Sequence, residues 1–280
     1  MATDNLQMRF TREMFTPNGL REISSTSDVD AALGNLLLSV FDGLQVSDPR
    51  TSAKGFKQFL TRSGRDKLKL GAFDDVETLL QAVRSADGGR RDDQSTSYSN
   101  VNRDALPIIN LGRFPGFQLH DNSLAVDIYD AGYLANASGE KIALLSLVPV
   151  EISYSIMVLS SEKEALSTMI GVISTWLRQF ALQGGNNFTA QTQLVGSNLM
   201  LQCMFRDAKA VLVNDLTPSL TTDRIFAASI PVTVIAPLYT AWLGTPSTGK
   251  IEVYREGVNY SAAAPRVPLT DKQQIFGEVV

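Results

Sequence analysis

The sequence predicts an α+β fold: a mixed or antiparallel sheet crossed by a long helix, with additional N-terminal helices and an extended C-terminal arm. Three observations carry that expectation. Val150, Ile152, Tyr154, Ile156 and Val158 alternate with Glu151, Ser153, Ser155 and Met157, the period of a half-buried strand. An amphipathic helix follows at once, with Ala165, Met169, Val172, Ile173, Trp176 and Phe180 on its inner face. Ser161 and Glu164 have the spacing of a capping box at its start, and Gly184-Gly185 ends it. Two more strands come after: Leu199 to Phe205, and Ile225 to Ala236 with Phe226, Ala228, Ile230, Val232 and Val234 on one face. Pro231 lacks an amide donor, so that last strand should lie at an edge or carry a bulge.

Before this layer the chain predicts helices. Behind the polar run Ser24–Asp28, the residues Val29, Leu33, Leu36, Leu37, Val40, Phe41 and Leu44 share one helical face, with Gly43 near its end. A second helix runs from about Asp75 to Ser85, with Val76, Leu79, Leu80 and Val83 inward, and Gly88-Gly89 stops it. The polar stretch Gly88 to Asp104 has too few aliphatics to bury, so it reads as a loop or an arm awaiting a partner. Pro107 to Leu111 is a short strand closed by Arg113-Phe114-Pro115-Gly116. The expected organisation is therefore 1–105 (N-terminal helices, insertion and flexible loop), 106–242 (the α+β core) and 243–280 (the extended arm, punctuated by Pro246, Pro265 and Pro268).

Composition narrows the function. With 29 acidic and 25 basic residues in 280 and a net charge of −4, the chain lacks the basic excess of a protein that grips nucleic acid by its phosphates. Cys203 is the sole cysteine, which excludes an intramolecular disulfide and a thiolate zinc site. The Asn-x-Ser/Thr triplets at Asn136, Asn187 and Asn259 then read as chance. Met1 to Phe15 lacks the apolar core of a signal peptide, and no apolar run approaches the roughly 20 residues that span a bilayer. A cytosolic site of synthesis and no membrane partner are expected.

Each candidate for chemistry meets a plainer reading. Gly244-Thr-Pro-Ser-Thr-Gly249-Lys250 matches the phosphate-binding pattern except that Ile251 replaces the hydroxyl residue that ligates magnesium. A strand-like Ile251-Glu252-Val253-Tyr254 follows, where a phosphate loop needs a helix, so a plain turn is expected. His120 beside Asp121 has no nucleophile in a Gly-x-Ser-x-Gly elbow and reads as surface. Cys203 reads as a small buried hydrophobe. Asp127 and Asp130 could touch a cation but lack a third ligand, and Arg90-Arg91 is cancelled by Asp92-Asp93. Trp176 and Phe180 read as core, with an oligomer seam as the rarer alternative. No catalytic residue, metal ligand or cofactor site is expected, and no enzyme.

One stretch resembles a known family. Leu147-Val-Pro-Val-Glu-Ile-Ser-Tyr-Ser-Ile-Met-Val-Leu159, the helix to Phe180 and the strand Arg224-Ile-Phe-Ala-Ala-Ser-Ile-Pro-Val232 resemble tail-terminator or tail-completion proteins of contractile-tailed bacteriophages. The strand from Leu106 to Leu111 has its counterpart there, and the likeness covers Leu106 to Trp242 and, more loosely, the helix Val29 to Leu44. The long insertion around Gly55 to Asp104 and the segment after Trp242 depart from the family pattern. The resemblance implies a virion structural protein assembled in the host cytoplasm. It would form a homohexameric ring at the head-proximal end of the tail, in contact with tube, sheath and neck or connector proteins, with DNA only passing through the lumen. A different tail or neck part (tube, baseplate or connector adaptor) is the alternative. Less favoured is a metal-dependent enzyme using Asp127, Asp130 and Asp207.

Overall fold

Lys141–Ser160 and Phe226–Tyr254 are two long strands that lie side by side and antiparallel. They are β6 and β10 of a computed structural model that describes residues 7–47, 54–71, 73, 75–86, 105–119, 128–136, 138–182, 187–207, 211–218 and 225–254. Ahead of them come β1 (Gln7–Ile23), α1 (Ser27–Ser39), α2 (Lys54–Thr61), α3 (Gly64–Lys67), β2 (Leu68–Leu70) and α4 (Val76–Ala86). The rest are β3 (Ile108–Arg113), β4 (Gln118–Leu119), β5 (Ile128–Ala135), α5 (Lys163–Leu182), β7 (Asn187–Leu194), β8 (Ser197–Arg206) and β9 (Asn214–Asp215). The architecture is mixed α+β, with a curled sheet in the order β2-β3-β6-β10-β8-β7. Its pairings are antiparallel except for parallel β2–β3.

Alternation along β6 decides the layers. Val150, Ile152, Tyr154, Ile156 and Val158 share one sheet face with Ile109 and Leu111 of β3 and Ile230 and Val234 of β10. Against that face pack Val29, Leu33 and Leu37 of α1, Phe56 and Phe59 of α2, and Ala165, Met169, Ile173 and Leu177 of α5. Each of these side chains larger than alanine contributes about 1.5–3 kcal/mol of burial. The other face is covered at one end by α4, whose Val76, Leu79, Leu80 and Val83 meet Ile108, Met157, Leu159 and Ala227. Met157 is therefore buried too, and the strand is half-buried only before α4 reaches it. α1 packs on β7 and also on β2 and β3, with Leu68 and Leu70 close against Gly34, so it bridges the two ends of the curled sheet.

Local expectations are corrected in five places. The polar run before α1 supplies no cap: Thr26 makes no capping bond, and its hydroxyl instead accepts from Arg113. The turn into α5 is held by Ser160, whose Oγ accepts from the Glu162 amide at 3.0 Å, in place of the Ser161–Glu164 box. β7 goes unsignalled because its inward Phe188, Ala190, Thr192 and Leu194 include one small and one polar residue. Beyond a short alternation at Met8–Thr11, nothing in the hydropathy of Gln7–Ile23 announces β1. The segment Gly244–Lys250 is strand rather than turn, paired residue for residue from Pro17↔Gly244 to Thr11↔Lys250. The described part of 243–280 is thus the end of β10, and residues 87–104 lie outside the described residues.

Two polar devices lock the layers. Arg62, at the end of α2, donates to the carbonyls of Ala105 (2.8 Å), Leu106 (2.6 Å) and Pro107 (2.8 Å), tying that helix to the entry of β3. Buried Asn110 donates to the carbonyls of Lys69 and Gly71, which satisfies its amide and fastens β2 to β3. Pro231 sits opposite Ser155 of β6, in the gap between the β9 pairing at Ala228–Ser229 and the β8 pairing at Thr233–Ile235. On that side β10 is locally an edge, which tolerates the missing donor.

Cys203 is fully buried, and burial pushes its thiol up to about 12. The reactive thiolate is scarce at neutral pH. Folded protein is expected to react with Ellman's reagent at least a hundred-fold more slowly than protein in guanidinium, where one thiol per chain titrates. Rapid native reaction would contradict this burial.

Candidate functional site

Few of the residues singled out for chemistry have side chains among the described ones. His120, Asp121 and Asp127 lie outside the described residues. Asp207 stands exposed at the end of β8, beside Arg206 at 3.6 Å. Among the described residues no group of three His, Cys, Asp or Glu side chains could hold a metal ion. Gly244 to Lys250 runs as extended ladder, so its amides do not form the concave cradle that a phosphate requires. Trp176 stacks on Phe180 at 5.0 Å, and both rings stand edge-on to Phe205, an aromatic cluster against the core.

Burial raises the ionisation of Tyr154 above the usual tyrosine range, and the hydrogen bond to Asp30 reinforces it. Its hydroxyl donates to Asp30 Oδ1 at 2.7 Å, while Arg113 Nε stands 3.6 Å from Asp30 Oδ2. Those three residues and Thr26 join the start of α1 to β3 and β6. Every group in the set has a partner, so the set is a structural clasp.

What the fold leaves unpartnered lies elsewhere, where β1, β5, β6 and β10 run together. Here Pro17, Ile128, Leu144, Ser146, Leu147, Val148 and Trp242 line a cleft of about 290 Å³, and no helix residue is among them. Trp242 Nε1 donates to Ser146 Oγ at 3.3 Å, and the Arg21 guanidinium lies 5.7 Å over the indole. Both contacts fix the ring with its polar atom satisfied. Lys141 similarly covers Tyr133, which packs against Phe15. Leu20, Ile23 and Ile128 are exposed on β1 and β5.

From this cleft a ribbon departs. β6 stops accompanying β10 at Ala143↔Leu243, and among the described strands β1 alone continues paired with it to Gln7↔Tyr254. The junction is a bulge: Pro17 pairs with Gly244 and Arg21 with Trp242, so Asn18, Gly19 and Leu20 face the single residue Leu243. Gly19 adopts φ +89°, a conformation that glycine takes without strain, and Asn18 Oδ1 accepts from the Leu20 amide.

The sequence reading used Trp242 only as a boundary and missed β1. Its available signal was the short alternation Met8, Phe10 against Arg9, Thr11, matched by Ile251, Val253 against Lys250, Glu252. A second exposed apolar group, Phe114, Phe117 and Leu119, follows β3. Among the described residues no helix is long and apolar enough to cross a membrane. No protein-family model and no curated protein matches the chain.

Proposed function

We propose that the chain is a virion structural protein that forms a six-fold ring at the head-proximal end of a contractile phage tail. The ring ends polymerisation of tube and sheath and offers its outer face to the neck, while DNA passes through the lumen. One observation supports self-assembly above the rest: a two-stranded ribbon and an uncovered apolar cleft sit on the same chain. The run Leu147 to Phe180 supports the placement in a tail by its resemblance to terminator proteins. In this reading α5 lies across the sheet as a scaffold, and the mild acidity of the chain suits a lumen that DNA must not stick to.

A growing tube adds identical rings because each end exposes the surface that the next ring needs. A terminator binds that end with one face and presents a different, non-propagating face outward. Loss of the protein is therefore expected to give separate heads and tails, the tails uneven in length. Electron microscopy of a knockout lysate is the check. Intact, infectious particles with normal tails would refute the reading, and purified protein that stacks into long tubes would favour a tube subunit instead.

A further inference from the structure

We propose that the Trp242 cleft is the seat of the chain's own C-terminal segment, with Phe276 against its apolar floor and Glu278 on Arg21. The inference takes nothing from the virion role.

The cleft is the bare half of a covered sheet face. Cross-strand pairing sets Tyr133, Leu144, Trp242 and Arg21 in one row across β5, β6, β10 and β1. Ser146, Thr240 and Ile23 form the next row. By strand alternation these share a face with Val150, Ile152, Val234 and Ala236, which lie in the core under α1, α2 and α5. No helix residue reaches the cleft. What its lining lacks is an apolar layer.

The cleft also fixes the chemistry of what fills it. Its polar groups are already engaged: Ser146 Oγ accepts from Trp242 Nε1 and donates to the Thr240 carbonyl at 3.4 Å. A polar group pushed in would lose water and gain no partner, so the anchor is an apolar side chain. Beside the anchor stands a cation. Arg21 lies 5.7 Å over the indole, and among the described residues it has no carboxylate partner. Its neighbour Glu22 is not that partner, because that carboxylate accepts from the Val195 amide at 2.8 Å. A guanidinium stacked on a ring keeps its edge donors for a carboxylate. The occupant is therefore an apolar side chain with a carboxylate two residues away, roughly 6.6 Å along one side of an extended segment.

This chain carries such a segment. Residues 255–280 lie beyond the described ones and hold two aromatic residues, Tyr260 and Phe276. Tyr260 has Val258 and Ala262 two positions away, whereas Phe276 has Glu278. Leu269 and Asp271 repeat the spacing, but a phenyl ring fills more of the cleft and packs on the indole, which favours Phe276. Reach permits the contact. β10 ends at Tyr254, about 40 Å beyond Trp242, and the chain from Tyr254 to Phe276 spans up to about 70 Å when extended. A tether of this kind favours the chain's own segment over one from a second copy at low protein concentration. Any other partner of this face has to displace the segment first.

Trp242 fluorescence tests this in the full chain once Trp176→Phe removes the other tryptophan. Acrylamide quenching is expected to rise at least two-fold in Phe276→Ser and in Glu278→Arg, and to stay unchanged in Leu269→Ser. Arg21→Glu added to Glu278→Arg is expected to restore the protection. A second measurement keeps Trp176: Phe276→Cys with Leu144→Cys in one chain, buried Cys203 left in place. Mild oxidation is expected to close that disulfide within the chain at least ten-fold faster than Leu269→Cys with Leu144→Cys. Equal quenching in all variants, or equal disulfide rates where Trp176→Phe unfolds, overturns the proposal. A rise in Leu269→Ser alone overturns the assignment of Phe276. Cross-links that form between chains, and only as concentration rises, overturn the same-chain seat.

Discussion

Replacing Gly244 with alanine is expected to open the ribbon of β1 and β10 while sparing the core. A Cβ at this position would overlap the Thr16 carbonyl oxygen, and it would lie 2.9 Å from Pro17 Cα and 2.8 Å from the Phe15 ring. Two of those neighbours are backbone, so no side-chain rotation relieves the overlap. Overpacking of this kind costs about 1–3 kcal/mol. Among the described residues, the strain falls where β1 is the only strand paired with β10, so the ladder beyond it opens before the sheet does. Amides of residues 245–254 should lose hydrogen-exchange protection, while those of β6 keep theirs. Gly171→Ala is the matched control. A Cβ there meets nothing within 4 Å on the exposed face of α5, and up to about 1 kcal/mol of stabilisation is expected from helix propensity. Full ribbon protection in Gly244→Ala would show that the close approach is not needed.

Tyr154→Ala is expected to give the largest loss of global stability, about 3–5 kcal/mol. The side chain is 0% exposed in the middle of β6, between the sheet and α1. Its removal leaves a cavity and also strips Asp30 of a hydrogen bond. Tyr154→Phe separates the two effects. It keeps the ring and loses only the bond to a charged acceptor, a cost of about 1.5–3 kcal/mol. Arg113 remains beside the carboxylate, which holds the loss toward the lower end. Thermal and denaturant unfolding of the two variants is the check. Equal losses would mean that packing of the ring contributes nothing and that the Asp30 bond is the whole effect.

The layered α+β core was legible because its signals are local. Alternation from Val150 to Val158 and the helical stripe from Ala165 to Phe180 report which side of each element faces apolar surroundings. Leu177 was missing from that stripe yet is fully buried, since a helix face is wider than its most obvious positions. Cys203 was placed correctly by its position on an apolar strand face. The cleft was not legible. Its lining comes from Pro17, Ile128, Leu144 to Val148 and Trp242, stretches far apart in sequence that only the pairing of β1, β5, β6 and β10 brings side by side.

By itself, then, the sequence determined the periodicities, the polar punctuation between elements and the burial of the central strand and helix. Those depend on residues within a few positions of one another. Tertiary structure alone decided that Gln7–Ile23 is a strand, that Gly244–Lys250 is ladder rather than turn, and that α1 bridges the two ends of the sheet. A mixed polar segment such as Gln7–Ile23 has no strong preference of its own. It becomes a strand because β10, more than 200 residues later, offers it a row of unpaired amides and carbonyls.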